Sequence, residues 1–113
     1  MSDYKPSAPF NVAAFLMKPN EVRIKGVLTK TYVKNDKPFF CSFRTFGGTE
    51  KVVNDVLVVE DTATIETWYD PEIKANCRIN VNDVNYDILG TPENINMRNQ
   101  YMLFKVRAVK GGA

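Results

Sequence analysis

Carboxylates stand close together at two places in the chain: Asp70 and Glu72 flank Pro71, and Glu60 adjoins Asp61. Pairs of this kind can move a proton or hold a divalent cation. Both lie in polar stretches where Asp and Glu also serve as ordinary turn residues, and that structural role is the favoured one. Cys41 and Cys77 are too few for a four-ligand metal site. They are expected as buried, apolar thiols, with a disulfide open to them if the protein ends up outside the cell. Histidine is absent, which removes the commonest general base, the usual activator of a nucleophile and the usual zinc ligand. Gly47-Gly48 is not followed by a helix opening with Lys-Ser/Thr, so the pair reads as a hinge and not as a phosphate-binding loop. Arg23, Lys25, Lys30, Lys34 and Lys37 lie among Tyr32, Phe39 and Phe40. Cations interleaved with aromatics can hold single-stranded nucleic acid on a small barrel. Lysines on an exposed hairpin also serve simply to block edge pairing, and Phe39 is expected in the core. No set of groups converges on a reaction, so neither an enzyme nor a cofactor is expected.

What remains is a scaffold. The 113 residues suffice for one domain, and seven Phe, five Tyr and one Trp suit β-structure. A net charge of +2, from 15 basic and 13 acidic side chains, is too balanced to make nucleic acid the main partner. No apolar run is long enough to span a membrane as a helix. The N-terminus lacks a charged-then-apolar signal pattern, so synthesis and initial retention in a cytoplasm are expected.

The clearest local signal lies at residues 77–88. Cys77, Ile79 and Val81 alternate with polar residues, and so do Val84, Tyr86 and Ile88. Asn82-Asp83 lies between the two runs, and both residues tolerate left-handed backbone angles. This predicts a two-residue hairpin pairing Val81 with Val84, Ile79 with Tyr86 and Cys77 with Ile88 on one face. Further strands are predicted over residues 22–33, with a bulge at Gly26, and over 39–46, 62–69 and 101–109. Lys34 to Pro38 reads as a turn, Pro71 to Asn76 as a turn or single helical turn, and Gly90 to Asn94 as the lead into a polar loop ending near Asn99. Asn11 to Met17 could make one or two helical turns capped by Asn11 and ended by Pro19, too short to persist undocked. Thr49 to Asp61 fits a helix through Val52, Val56 and Val59, or a buried strand over Val56 to Val59, and is taken as a long connection. The fold class is therefore mainly β: a small antiparallel β-barrel or sandwich of about six strands with a minor helical segment. Residues 1–20 are expected as an N-terminal arm and 21–110 as the β-barrel domain, with a long loop at 47–61.

The order of features from Phe39 to Val109 resembles the phage head–tail joining family (head-closure or head–tail adaptor proteins) of long-tailed phages. An aromatic strand runs into Gly47-Gly48-Thr49-Glu50. A strand then leads to Trp68-Tyr69-Asp70-Pro71-Glu72-Ile73, followed by Arg78-Ile79. A tight hairpin with Tyr86-Asp87-Ile88, a polar loop with Arg98 and a long alternating strand complete it. The likeness spans about 70 of the 113 residues; the first 38 residues depart from the family pattern. The resemblance implies a virion structural protein, a head–tail connector assembled in the host cytoplasm. It implies a homo-oligomeric ring, with a portal or adaptor protein above and a tail or tail-terminator protein below. It also implies transient contact with packaged double-stranded DNA, which the ring helps to retain, and no membrane.

Two segments are singled out on these grounds. Gly47, Gly48, Thr49, Glu50, Lys51, Val52 and Val53 are expected in a loop that faces the channel or a neighbouring subunit. Their continuation to Glu60 is too apolar for a purely solvated linker. Phe10, Val12, Phe15, Leu16 and Met17 are expected as a docking arm outside the core. A single-stranded nucleic-acid-binding small β-barrel is the alternative function, and a generic β-barrel interaction module a third.

Overall fold

A computed structural model describes residues 5–45, 49–53 and 56–109. Nine strands are found among them: β1 (Val12–Ile24), β2 (Val27–Lys34), β3 (Phe39–Thr45), β4 (Thr49–Val53), β5 (Val56–Glu60), β6 (Thr62–Trp68), β7 (Arg78–Val81), β8 (Val84–Asn94) and β9 (Tyr101–Ala108). A single 3₁₀ turn, Ile95–Met97, separates β8 from β9. The mainly β class expected from the sequence is what folds.

Seven strands share one antiparallel sheet in the order β2-β1-β3-β6-β9-β8-β7, and β1 pairs again with β7. Six strands thus close into a hydrogen-bonded ring, with β2 attached outside it. Closure removes the open edges that a flat sheet would expose to other chains. The interior is filled by alternate residues from every strand of the ring: Ala14 and Leu16, Cys41, Ala63 and Ile65, Ile79 and Val81, Ile88, then Met102, Phe104 and Val106. Phe39, Phe43, Tyr69 and Tyr86 pack against this core while half-buried.

The β7–β8 hairpin has the predicted register. Ile79 faces Tyr86 and Val81 faces Val84. Asn82 and Asp83 take φ of 51° and 63°, as a type I′ turn requires. On the outer side of this hairpin, Asn80 Nδ2 donates to Asn85 Oδ1 at 2.7 Å and Arg78 Nε to Asp87 Oδ1 at 2.8 Å.

Four expectations need correction. Residues 12–17 are not helical turns but the first half of β1, paired with β3 on one side and β7 on the other. Leu16 and Ala14 are accordingly core residues, and the arm outside the ring shrinks to what precedes Val12. Lys25-Gly26 is not a bulge but the turn of a β1–β2 hairpin, with φ of 50° and 80° and Ile24 paired with Val27. Residues 90–94 are not a loop. They continue β8 past a register shift between Leu89 and Glu93, where Gly90 has φ of 75°. The long connection is a β4–β5 hairpin with Val53 opposite Val56, forming a separate two-stranded sheet. Gly47 and Gly48 lie outside the described residues.

The two carboxylate pairs resolve differently. Asp70 caps its own turn: its Oδ1 accepts from the Glu72 N–H at 2.9 Å and its carbonyl from the Ile73 N–H at 3.1 Å. That turn seats Ile73 in the core. Glu72 meets Lys18 Nζ at 2.8 Å on an exposed surface, which lowers the Glu72 pKa and raises that of Lys18, each through this hydrogen bond. At Asp61 the backbone is engaged, its carbonyl accepting from the Ala108 N–H at 2.9 Å.

Both cysteines are free thiols and buried, as expected. Burial pushes the Cys41 thiol up to about 12 from 9.0. Below pH 9.0 the thiol is neutral in both folded and unfolded chains. Above it the unfolded thiol ionises while the folded one resists until about pH 12, so stability falls as pH climbs through that window. Tyr86, raised mainly by burial, acts in the same direction. Cys41→Ala should therefore be less alkali-sensitive than wild type, as read from urea midpoints between pH 8 and 11. Parallel pH profiles for the two chains would show that Cys41 carries none of the effect.

Candidate assembly surfaces

Two surface features stand out because apolar side chains gather where water should be. One is the outer half of the β1–β2 hairpin. β1 belongs to the ring as far as Met17, after which its pairing partner is β2. This stretch consists of eight residue pairs, Met17↔Lys34 to Ile24↔Val27, or about 25 Å of ladder. At its tip Ile24, Val27 and Leu28 are 51%, 64% and 57% exposed. From Met17 to Lys34 the hairpin has five basic side chains against Glu21 alone, although the whole chain carries only +2. An exposed apolar tip ringed by cations is costly for a free surface and suits burial against a partner.

Of the basic residues and aromatics expected together, Lys30 and Tyr32 meet here. The Tyr32 ring centre is 5.4 Å from Lys30 Nζ and 4.3 Å from the Arg78 guanidinium. Lys34 Nζ sits 4.3 Å from the Phe15 ring. These aromatic faces are thus engaged by the chain's own cations. Phe39 packs on the core and Phe40 stays exposed.

The second feature had no signature in the sequence. Trp68 and Tyr101 are cross-strand partners at the end of the β6–β9 ladder. Their rings stack at 5.2 Å with 28° between planes. Phe10 joins from the N-terminal segment, edge-on to both, at 5.3 Å from Trp68 and 5.9 Å from Tyr101. Thr67 and Met102 point into the core, so Trp68 and Tyr101 fall on the outer face. Pro6, Ala8, Phe10, Trp68 and Tyr101 line a shallow cleft of about 380 Å³. The signal that could have found it is the register: an aromatic ending β6 sits opposite an aromatic opening β9.

Of the residues expected in a docking arm, Phe10 lies in this cluster and Leu16 in the core, while Val12, Phe15 and Met17 are half-buried on β1. Thr49 to Val53 form β4, apart from the ring sheet. Among the described residues no three Cys, Asp or Glu side chains gather as a metal site, and no helix is long and apolar enough to cross a membrane.

The fold defines a small all-β domain closed into a ring of antiparallel strands. That fold is shared with solved structures at low sequence identity. A chain from the virion of a native gene transfer agent particle matches over 92% of this chain and 99% of its own, with a TM-score of 0.70 and 14% identity. Protein SF1141 from Shigella flexneri 2a matches over 89% and 94%, with a TM-score of 0.63 and 16% identity. No family model and no curated protein matches the sequence.

Proposed function

We propose that this chain is a virion structural protein, the subunit of a head–tail connector or head-closure ring in a phage-like particle. The ring joins a portal–adaptor complex to the tail and helps to retain packaged double-stranded DNA. The observation that carries the reading is the likeness of fold, over nearly the full length of both chains, to a component of a gene transfer agent virion. Two features of the chain support it. The β1–β2 hairpin offers an apolar tip suited to a neighbouring protein. The β4–β5 hairpin is a second, separately paired element that suits a channel-facing or inter-subunit role.

Removing the gene from the genome that encodes the particle should leave heads without tails and free tails in electron micrographs of the lysate. A complementing wild-type copy should restore joined particles. Normally joined particles without the gene would rule the reading out.

The same complementation separates the two hairpins. Val27→Asp together with Leu28→Asp should fold with an unchanged thermal midpoint, because both side chains already face water. It should nonetheless fail to restore joining, because charge on an apolar contact is desolvated without a partner. Restoration to wild-type titre would exclude the tip as a docking surface. Replacing residues 49–60 by a short Gly-Ser link should yield particles that lose DNA. Full retention of DNA by joined particles would argue against a channel-facing β4–β5 hairpin.

A further inference from the structure

We propose that the free edge of β2 takes up an extended strand of a partner protein, one in which acidic residues alternate with β-branched ones. β2 ends the seven-stranded sheet, with β1 as its paired neighbour on one side only. Alternate residues of an antiparallel strand aim both their N–H and their C=O at the same neighbour. Ile24 and Val27 close the two-residue turn, and at the other end the Asn35 N–H donates to the Leu16 carbonyl at 2.9 Å. Val27, Thr29, Thr31 and Val33 therefore direct their backbone groups at β1. Those of Leu28, Lys30, Tyr32 and Lys34 point away from it, along about 20 Å of edge. The backbone of β2 leaves room for a further strand there. Its register with β1 runs from end to end without a shift, and it contains no proline. The opposite edge of the ribbon differs, because Pro19 removes an N–H from it.

The side chains define the strand that fits. One face of β2 is uncharged and β-branched: Val27, Thr29, Thr31 and Val33, with both valines exposed. The other face carries Leu28, Lys30, Tyr32 and Lys34. Lys30 and Lys34 lie against the Tyr32 and Phe15 rings, which hold their charges on this face. β2 has no carboxylate, and Glu21, opposite Lys30, is the one that β1 brings to the ribbon. An incoming strand with carboxylates on the lysine face and Val, Ile or Thr on the other meets opposite charge and apolar contact at once. A second copy's β2 does not. It would gather Lys30 and Lys34 of both copies on one face with no carboxylate in either strand, and like charges across a ladder repel. The inference does not rest on the particle assignment, and its test uses the isolated protein.

Amide exchange followed by nuclear magnetic resonance on the full-length protein tests this. In the free protein the amides of Thr29, Thr31 and Val33 should exchange slowly and those of Leu28, Lys30 and Tyr32 fast. The probe is a short blocked peptide alternating Glu with Val. Its addition should shift the β2 resonances saturably and slow exchange at Leu28, Lys30 and Tyr32. N-methylation of the Glu residues, whose amides would face β2, should weaken binding about tenfold or more, and N-methylation of the Val residues should not. A peptide with Lys in place of Glu should also bind about tenfold more weakly. Lys30→Glu together with Lys34→Glu, both exposed positions, should reverse that preference. No shift at millimolar probe, shifts without slower exchange at these amides, or equal weakening by both methylated peptides would overturn strand addition. Protection that grows with protein concentration alone would overturn it in favour of a second copy. Shifts at Lys30 and Lys34 caused by a short DNA duplex and not by the peptide would overturn it in favour of phosphate binding.

Discussion

A chain lacking residues 2–18 should fail to fold. The segment looks dispensable in the sequence, with two prolines, a third just after it, and a run too short for a stable helix. In the fold its residues 12–17 are the closing stave of the ring: Val12 to Ala14 pair with β3, and Phe15 to Met17 pair with β7. Without them β3 and β7 each face water with an unpaired edge. Ala14 and Leu16, both buried, leave a hole in the core. Truncating one buried Leu to Ala typically costs about 2–5 kcal/mol. Loss of the whole stave adds its ladder hydrogen bonds to that, against a total stability of about 5–15 kcal/mol for a domain. Far-ultraviolet circular dichroism with a urea titration decides the matter. A cooperative transition at the wild-type midpoint would mean that the ring holds without β1.

Ile79→Ala should be destabilising by about 2–5 kcal/mol, whereas Val84→Ala on the same hairpin should change stability far less. Ile79 is 0% exposed and faces Tyr86 across the ladder; Val84 is 40% exposed beside the turn. The cost at Ile79 combines lost burial with the cavity left among its packed neighbours. At Val84 water already occupies part of the space, so little cavity forms. For a domain near this size each kcal/mol moves the thermal midpoint by roughly 4–8 °C. Scanning calorimetry of both variants therefore has a wide margin. Equal shifts for the two substitutions would contradict the register that places Ile79 inside and Val84 at the rim.

The β7–β8 hairpin was legible because its determinants are local. Alternation with period two fixes which side chains share a face, and Asn82-Asp83 tolerates the positive φ that its turn requires. The strands at 39–45 and 101–108 were legible from which residues share a face, and the strand at 62–68 from its β-branched and aromatic residues ahead of Pro71. The Asp70 turn likewise follows from Asp and Pro side by side.

Tertiary structure decided the rest. Val12 to Met17 is apolar without a clear period, and short runs of that kind fit a helix or a strand equally. β1 is a strand because β3 and β7 supply hydrogen bonds on both of its sides, a fact that residues 12–17 do not carry. Pro19 is tolerated, opposite Tyr32, because β1 has by then left the ring and β2 is its remaining partner, so one side of the strand needs no N–H donor. Lys25-Gly26 was ambiguous because the residues on either side alternate in both a bulged strand and a hairpin; the choice depends on whether the chain reverses there. The aromatic face was invisible for a simpler reason. Phe10, Trp68 and Tyr101 come from three segments far apart in sequence, and the ring's closure together with the β6–β9 register brings them within 6 Å of one another. Local sequence therefore set which segments could be strands and turns. The partners of each strand, and the surface those pairings assemble, are properties of the closed sheet as a whole.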